Sequence, residues 1–171
     1  MNPFPQSERL SYVPVEQEHY DELRKIHTDP VVMQSIGGVR SEAKSKENFQ
    51  SYTQHWETNA FGMYVITEKA TQKFVGFGGL RDEDDTDGIE ISYVIKSEYW
   101  GKGYGTEMVS AFLDYAYAVL RQERVVAVVS SENTRSLAIL LKLGFSNTGK
   151  KLQRGTGWLD QYEKNSPHPP R

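Results

Sequence analysis

The sequence predicts an α/β domain built around one mixed, mostly antiparallel, twisted sheet with helices on both faces. Segments with the two-residue period of strands alternate with segments of helical period. Their order is strand, helix, helix, three strands, helix, strand, helix and two strands. The 171 residues contain no internal repeat and suit a single domain with a sizeable core. We therefore treat residues 1–171 as one domain, in which the proline-rich residues 165–171 form a predicted flexible tail.

The N-terminal part supplies the first strand and two helices. Residues 8–15 alternate in the manner of a strand, and residues 17–27 carry apolar side chains at helical spacing. The first helix should end before Pro30, because the residue preceding a proline disfavours helical backbone. A second helix follows the capping residue Ser41 and has few strong core residues. Such a helix either forms a lid or edge of a site or is an ordinary surface helix.

Three strands follow, over residues 61–67, 73–80 and 89–95. The middle strand is rich in glycine, which predicts that another backbone approaches it closely. In the third strand the odd-numbered residues share one face, so Glu90, Ser92 and Val94 share the other.

The acidic loop at residues 82–88 has some features of a calcium-binding loop. However, an EF-hand register places Val94 where the bidentate glutamate is required, which argues against calcium. The pair Asp87–Gly88 instead predicts a hairpin turn. The loop is either an acidic mouth for a cationic substrate or a solvated connection.

The C-terminal part begins with a strongly apolar helix at residues 104–120. The continuous apolar run at residues 124–129 is typical of a strand that is buried on both faces. A helix at residues 134–143 follows, with Asn133 as its N-cap and Gly144 behind it. Two last strands are predicted at residues 145–152 and 158–164.

Composition excludes several classes of function. A formal net charge of -3 without a basic stripe argues against nucleic-acid binding. No apolar run reaches the roughly 18 residues of a membrane helix, and the first residues do not resemble a signal peptide. The chain has no cysteine, which excludes disulfides and a thiolate nucleophile and fits the cytoplasm. We predict no metal site.

The motif that carries chemical information is YWGKGYGTE at residues 99–107, where a strand ends and the strongest helix begins. Gly101, Gly103 and Gly105 permit a tight turn that presents bare N–H groups at a helix N-terminus, where a pyrophosphate is favoured. The spacing differs from a dinucleotide-binding fingerprint, because Thr106 takes the place of the third glycine, and a P-loop sequence is absent. By itself, the motif is also compatible with a plain strand-to-helix connection.

In its context the motif resembles the pyrophosphate signature of the GNAT superfamily of N-acetyltransferases, Arg/Gln-x-x-Gly-x-Gly/Ala, with Trp100 replacing the first residue. That replacement is typical of the branch similar to ribosomal-protein N-terminal acetyltransferases. Further features of that branch occur in the expected order across nearly the whole chain: residues 7–10, Asp29-Pro30, residues 76–80, residues 90–93, Asn133 with Ser136, and residues 143–145.

The resemblance implies an enzyme that moves the acetyl group of acetyl-CoA to a primary amine by direct transfer in a ternary complex. It implies that Asn133 contacts the pantetheine, although an N-cap alone also explains this residue. The cofactor-binding set implied by the family comprises backbone groups of Tyr93, Val94 and Ile95 for the pantetheine arm, and Gly101, Lys102, Gly103, Tyr104, Gly105 and Thr106 for the pyrophosphate.

The resemblance also suggests the catalytic groups. Glu90 is the candidate base, since the amine must lose its proton before it attacks, and burial would have to raise a carboxyl pKa for this task. A structural salt bridge is an equal alternative for Glu90. The family's usual tyrosine acid corresponds here to Leu140, so Ser136 or no acid at all serves the leaving thiolate.

The acceptor is left open by the sequence. A protein N-terminus and a small amine are both possible, and the acceptor pocket is expected near the early helices, residues 36–39 and Phe61. A non-catalytic acyl-CoA-binding or sensing module is the alternative function. The oligomeric state is monomer or homodimer.

Overall fold

A computed structural model describes residues 3–168. They form a seven-stranded sheet in the order β1-β2-β3-β4-β5-β7-β6, in which only the β4–β5 pair is parallel. The predicted mixed, mostly antiparallel α/β fold is thereby confirmed. The elements are β1 Leu10–Pro14, α1 Tyr20–His27, α2 Pro30–Met33, α3 Glu42–Asn59, β2 Met63–Glu68, β3 Phe74–Arg81, β4 Ile89–Ile95, α4 Tyr104–Ala118, β5 Arg124–Val129, α5 Thr134–Lys142, β6 Ser146–Arg154 and β7 Gly157–Asn165.

The sheet separates two apolar clusters, and the alternation of β4 decides which residues enter each. Ile91 packs into the cluster that contains Phe112 of α4. Val94 packs against the other cluster, which holds Leu23 of α1 and Phe49 of α3. Helices therefore cover both faces, as the period of two in this strand predicts.

The glycines of β3 permit close backbone contacts, as predicted. A Cβ atom on Gly76 would lie 2.1 Å from the carbonyl oxygen of Val94, and one on Gly79 would lie 2.1 Å from the carbonyl oxygen of Gly62. Both distances are far inside contact range, so no larger residue fits there without a shift of backbone.

The prediction of a tight hairpin turn at Asp87–Gly88 is wrong. The turn lies earlier, where the Thr86 N–H donates to the Glu83 carbonyl oxygen at 3.2 Å. Asp87 instead contacts the neighbouring strands β5 and β7. Its carboxylate accepts a hydrogen bond from Gln161 at 3.3 Å and forms an ion pair with Arg124 at 3.0 Å. The seven residues 82–88 consequently form a loop rather than a two-residue connection.

Several predicted ends shift by a few residues. The first helix starts as a 3₁₀ turn at Gln17–His19, and the predicted helix 104–120 ends at Ala118. Asn165, the first residue of the predicted tail, ends β7, and residues 169–171 of that tail lie outside the described residues. Within residues 3–168, no helix combines the length and apolarity needed to cross a membrane.

Candidate functional site

The middle of the sheet opens between β4 and β5. The two strands pair only from Ile89 to Ile91, although β4 continues to Ile95 and β5 continues to Val129. Backbone groups on this side of residues 92–95 therefore face a gap instead of a neighbouring strand. An extended molecule with amide groups could pair with them, because unpaired strand edges accept a further strand.

The glycine turn stands at the end of this gap. Gly101 and Gly103 have φ values of 76° and 80°, and Gly103 is the N-cap of α4. These left-handed conformations are accessible to glycine without steric cost. The turn thus presents the first N–H groups of α4, which have no acceptor inside the helix, toward the gap.

Arg9, which directly precedes β1, holds the turn from its outer side. Its guanidinium donates to the Lys102 carbonyl oxygen at 2.8 Å and to the Glu107 carboxylate at 2.8 Å, and it lies 4.4 Å from the centroid of the Tyr104 ring. These contacts hold the Lys102 carbonyl and the first turn of α4 in place, and so they stabilise the shape of the glycine turn.

A cavity of about 280 Å³ joins the gap to the turn. Gly105 contributes to its shape, since a Cβ there would lie 2.5 Å from Ile139 Cδ1 of α5. The wall contains every predicted cofactor-binding residue except Lys102. The lining residues are Val32, Ser35, Ile36, Tyr93, Val94, Ile95, Tyr99, Trp100, Gly101, Gly103, Tyr104, Gly105, Thr106, Asn133, Arg135, Ser136, Ala138 and Ile139.

Lys102 does not line the cavity. It is exposed, and its Nζ atom lies 5.3 Å from the centroid of the Tyr99 ring, in cation–π range. Lys102 is therefore the one member of the predicted cofactor-binding set that is not in the cavity wall, although its backbone belongs to the turn.

The first turn of α5 forms the opposite wall. The Asn133 side chain caps the helix by accepting from the Ser136 N–H at 3.3 Å. The Ser136 hydroxyl is 2.7 Å from the Tyr93 hydroxyl, so a hydrogen bond joins α5 to β4 beside the cavity. Burial raises the pKa of Tyr93 to about 12 against the opposing effect of this hydrogen bond. The Tyr93 hydroxyl therefore keeps its proton at neutral pH.

Glu90 is almost fully buried, with 2% of its surface exposed, and it is not part of the cavity wall. Its carboxylate accepts two hydrogen bonds from Arg154, at 2.7 and 3.2 Å. Burial raises the pKa of Glu90, and the adjacent Arg154 guanidinium opposes the rise. Arg154 also binds Asp85 of the acidic loop at 2.7 Å, so the salt bridge weighed from the sequence is present.

Of the remaining residues considered from the sequence, some line the cavity and others do not. Leu140, at the position of the family's tyrosine, is buried in the core with 1% exposure and does not line this cavity. Ile36 and Ser35, next to α2, line the expected acceptor side. Phe61 does not, because its ring packs edge-on against His55 at 5.1 Å.

Sequence reasoning assigned no function to Arg135 or Arg9. Arg135 lies 35 residues from Trp100 in the chain, yet its Cζ atom is 3.2 Å from the centroid of the Trp100 ring. No spacing rule connects residues from a strand-to-helix turn and a later helix. Arg9 was noted only as part of a family feature, and its contact with Lys102 required the fold.

The sequence matches a known protein family. The model of the acetyltransferase (GNAT) domain family matches residues 9–146, which contain the whole cavity wall. The uncharacterized N-acetyltransferase p20 of Bacillus licheniformis is 29% identical over 146 residues, covering 84% of this chain and 82% of the relative.

Solved structures show the same fold. An acetyltransferase from Agrobacterium tumefaciens str. C58 superposes with a TM-score of 0.85 at 20% identity, over 97% of this chain and 96% of the other. A spermidine N-acetyltransferase from Vibrio cholerae, solved in complex with CoA and spermine, gives a TM-score of 0.73 at 17% identity, over 92% and 95% of the two chains.

Proposed function

The chain belongs to the GNAT acetyltransferase family and is an N-acetyltransferase, and we propose that it transfers the acetyl group of acetyl-CoA to a primary amine. The observation that carries this proposal is the gap between β4 and β5, which ends at the glycine turn. The unpaired edge fits an amide-containing arm and the turn fits a pyrophosphate, and both belong to one cavity.

The residues present fit acetyl-CoA. Tyr93, Val94 and Ile95 would hold the pantetheine arm with Asn133 opposite, and the N–H groups from Gly101 to Thr106 would hold the pyrophosphate. The thioester supplies an acetyl group that is already activated, so the protein aligns the amine, helps remove its proton and assists the departure of the sulfur. Because the chain has no cysteine, direct transfer in a ternary complex is the proposed route.

Ser136 and Tyr93 are the groups we propose for the leaving sulfur. Their hydroxyls are 2.7 Å apart and both residues line the cavity. One hydroxyl donates a proton toward the sulfur while the other donates to the first hydroxyl. With a pKa of about 12, the Tyr93 hydroxyl is protonated throughout the physiological range and can act in this way.

The role of Glu90 as proton acceptor stays a prediction. Val94 lines the cavity on the same face of β4, and four residues of strand span about 13 Å. Glu90 would therefore reach the amine only through intervening water. Its raised pKa supports a function as base, whereas its two bonds to Arg154 support a structural function.

The type of amine is part of the proposal. The Vibrio cholerae enzyme binds spermine, which supports a small amine. However, Asp85 and Asp87 of the acidic loop are already paired with Arg154 and Arg124, so much of the charge that could attract a polycation is neutralised. A protein N-terminus is the other acceptor class, and it agrees with the predicted ribosomal-protein branch. A cytoplasmic location likewise stays a prediction.

The test is CoA release from acetyl-CoA with a panel of polyamines, amino acids and short peptides. Amine-dependent release supports the enzyme and identifies the acceptor class. Tight binding of acetyl-CoA without release for any acceptor would support a sensing module. Failure to bind acetyl-CoA would refute the proposal.

A further inference from the structure

The Arg135 guanidinium has an unusual position. Its Cζ atom lies over the Trp100 ring, 3.2 Å from the ring centroid, and both residues line the cavity next to the glycine turn. Among residues 3–168 it has no ion pair and no hydrogen bond. An exposed arginine normally pairs with a carboxylate or with water, and the five N–H donors of this guanidinium are available to a ligand in the cavity that Arg135 lines.

The location in α5 makes this cation costly. Asn133 is the N-cap, so Arg135 is the second residue of the helix. Positive side chains are disfavoured in the first turn, where the helix dipole is itself positive. A bound anion removes this repulsion and adds a charge-assisted hydrogen bond. The N-terminus of α4, with its bare N–H groups, borders the same cavity and favours the same ligand charge.

Trp100 is itself held in place. Its Nε1 donates a hydrogen bond to the Ile95 carbonyl oxygen at 3.0 Å. This bond fixes the indole ring on which the Arg135 guanidinium stacks. Trp100 also occupies the position where the resembled signature has Arg or Gln. The indole removes a polar group from that position, and the guanidinium of Arg135 brings one back from a different helix.

We propose that Arg135, held on the Trp100 ring, binds the pyrophosphate of acetyl-CoA in place of the missing signature residue. This inference rests on the proposed function and adds a specific binding residue to it. A guanidinium is suited to the task because its planar fork gives two parallel hydrogen bonds to phosphate oxygens.

The experiment measures the dissociation constants of CoA, 3′-dephospho-CoA and pantetheine by calorimetry for wild type and variants. Arg135→Ala should weaken CoA and 3′-dephospho-CoA alike, by about tenfold or more, because one charge-assisted interaction is lost. Pantetheine, which lacks phosphate, should bind equally to both proteins. The affinity of Arg135→Lys for CoA should lie between those of wild type and Arg135→Ala, since an ammonium does not form the bidentate contact.

Two variants control for general effects. Lys142→Ala removes a cation from the last turn of the same helix, outside the cavity, and should leave all three constants unchanged. Trp100→Leu removes the ring on which Arg135 stacks and should weaken CoA binding. In the Arg135→Ala background the same substitution should cause little further loss of affinity, because the two residues act as one unit.

Other outcomes would overturn the inference. Equal CoA affinity in wild type and Arg135→Ala refutes it while leaving the proposed function intact. If Arg135→Ala weakens binding of CoA but not of 3′-dephospho-CoA, Arg135 contacts the 3′-phosphate, and the pyrophosphate contact is refuted. Loss of pantetheine binding to the same degree shows a structural defect and also refutes it. If wild type does not bind CoA at all, the proposed function and this inference fail together.

Discussion

Replacing Glu90 by glutamine separates its two candidate roles. The side chain keeps its size and one acceptor oxygen but loses the charge that faces Arg154. Removing one partner of a buried ion pair costs about 3–5 kcal/mol. Arg154 is 31% exposed and keeps Asp85 as a partner, so we expect the smaller loss of about 2 kcal/mol in the free energy of unfolding. Urea denaturation with an unchanged m value measures this loss.

The matched variant is Arg154→Met, which leaves the Glu90 carboxylate buried without its cation. The pKa of Glu90, already raised by burial, should rise further. A carboxyl whose folded pKa exceeds its unfolded value near 4.3 binds more protons when folded, so stability falls as pH rises from the unfolded to the folded pKa. Arg154→Met should thus lose more stability relative to wild type at pH 8 than at pH 5. Asp85→Asn, at an exposed partner of the same arginine, should cost about 1 kcal/mol or less.

Steady-state kinetics then decide the catalytic question. If Glu90 accepts the proton, Glu90→Gln should lower kcat by about 100-fold or more at every pH. Arg154→Met should keep activity at high pH and move the acidic limb of the pH profile upward. If Glu90→Gln retains kcat within about threefold of wild type, Glu90 is not the base. If both variants unfold within about 0.5 kcal/mol of wild type, the energetic reasoning on the buried pair is wrong.

Three further predictions concern other parts of the chain. Burial, with Arg40 and Arg24 nearby, lowers the pKa of His27 to about 4, so stability should fall by about 2–3 kcal/mol as pH drops from 6.5 to 4. Urea titrations should show a shallower pH slope in His27→Gln, and an unchanged slope would contradict the cause. Gly79→Ala should cost about 3 kcal/mol or more, because its Cβ meets a backbone oxygen at 2.1 Å. Gly157→Ala, with nothing within 4 Å, should leave the melting temperature nearly unchanged, and similar melting temperatures for the two variants would refute this packing argument. Tyr93→Phe and Ser136→Ala should each lower kcat by about tenfold or more without weakening CoA binding, and a purely structural hydrogen bond would leave kcat unchanged in both.

The sequence predicted the fold well because its elements have strong local signals. The alternation of residues 89–95 assigned the correct faces of β4, and Asn133 with Gly144 marked the two ends of α5. The prediction of a hairpin turn at Asp87–Gly88 was wrong because long-range contacts, rather than local preference, determine the conformation there. The local turn preference is worth little against contacts with Arg124 and Gln161, which come from strands far away in sequence.

The candidate site was predictable where backbone chemistry defines it. Gly101 and Gly103 have positive φ values, and a glycine pattern is visible in any sequence. Side-chain functions were less accessible, because they depend on direction as well as position. Lys102 lies within the motif, yet its ammonium rests on the Tyr99 ring and the residue does not line the cavity, whereas Arg135 lies outside the motif and lines the cavity.

The two arginines near the glycine turn have different effects on the anion site that we propose there. A motif that supplies only backbone N–H groups binds through dipoles, whose strength is fixed by the geometry of the turn. Here Arg9 fixes that geometry from outside by holding the Lys102 carbonyl, while Arg135 adds a full charge from the opposite wall. Loss of Arg9 should therefore disturb the shape of the turn and weaken every phosphate-containing ligand, and it should also lower stability through the lost Glu107 contact. Loss of Arg135 should weaken the same ligands with little net change in stability, since the lost contact with the Trp100 ring is offset by the relief of charge repulsion at the N-terminus of α5.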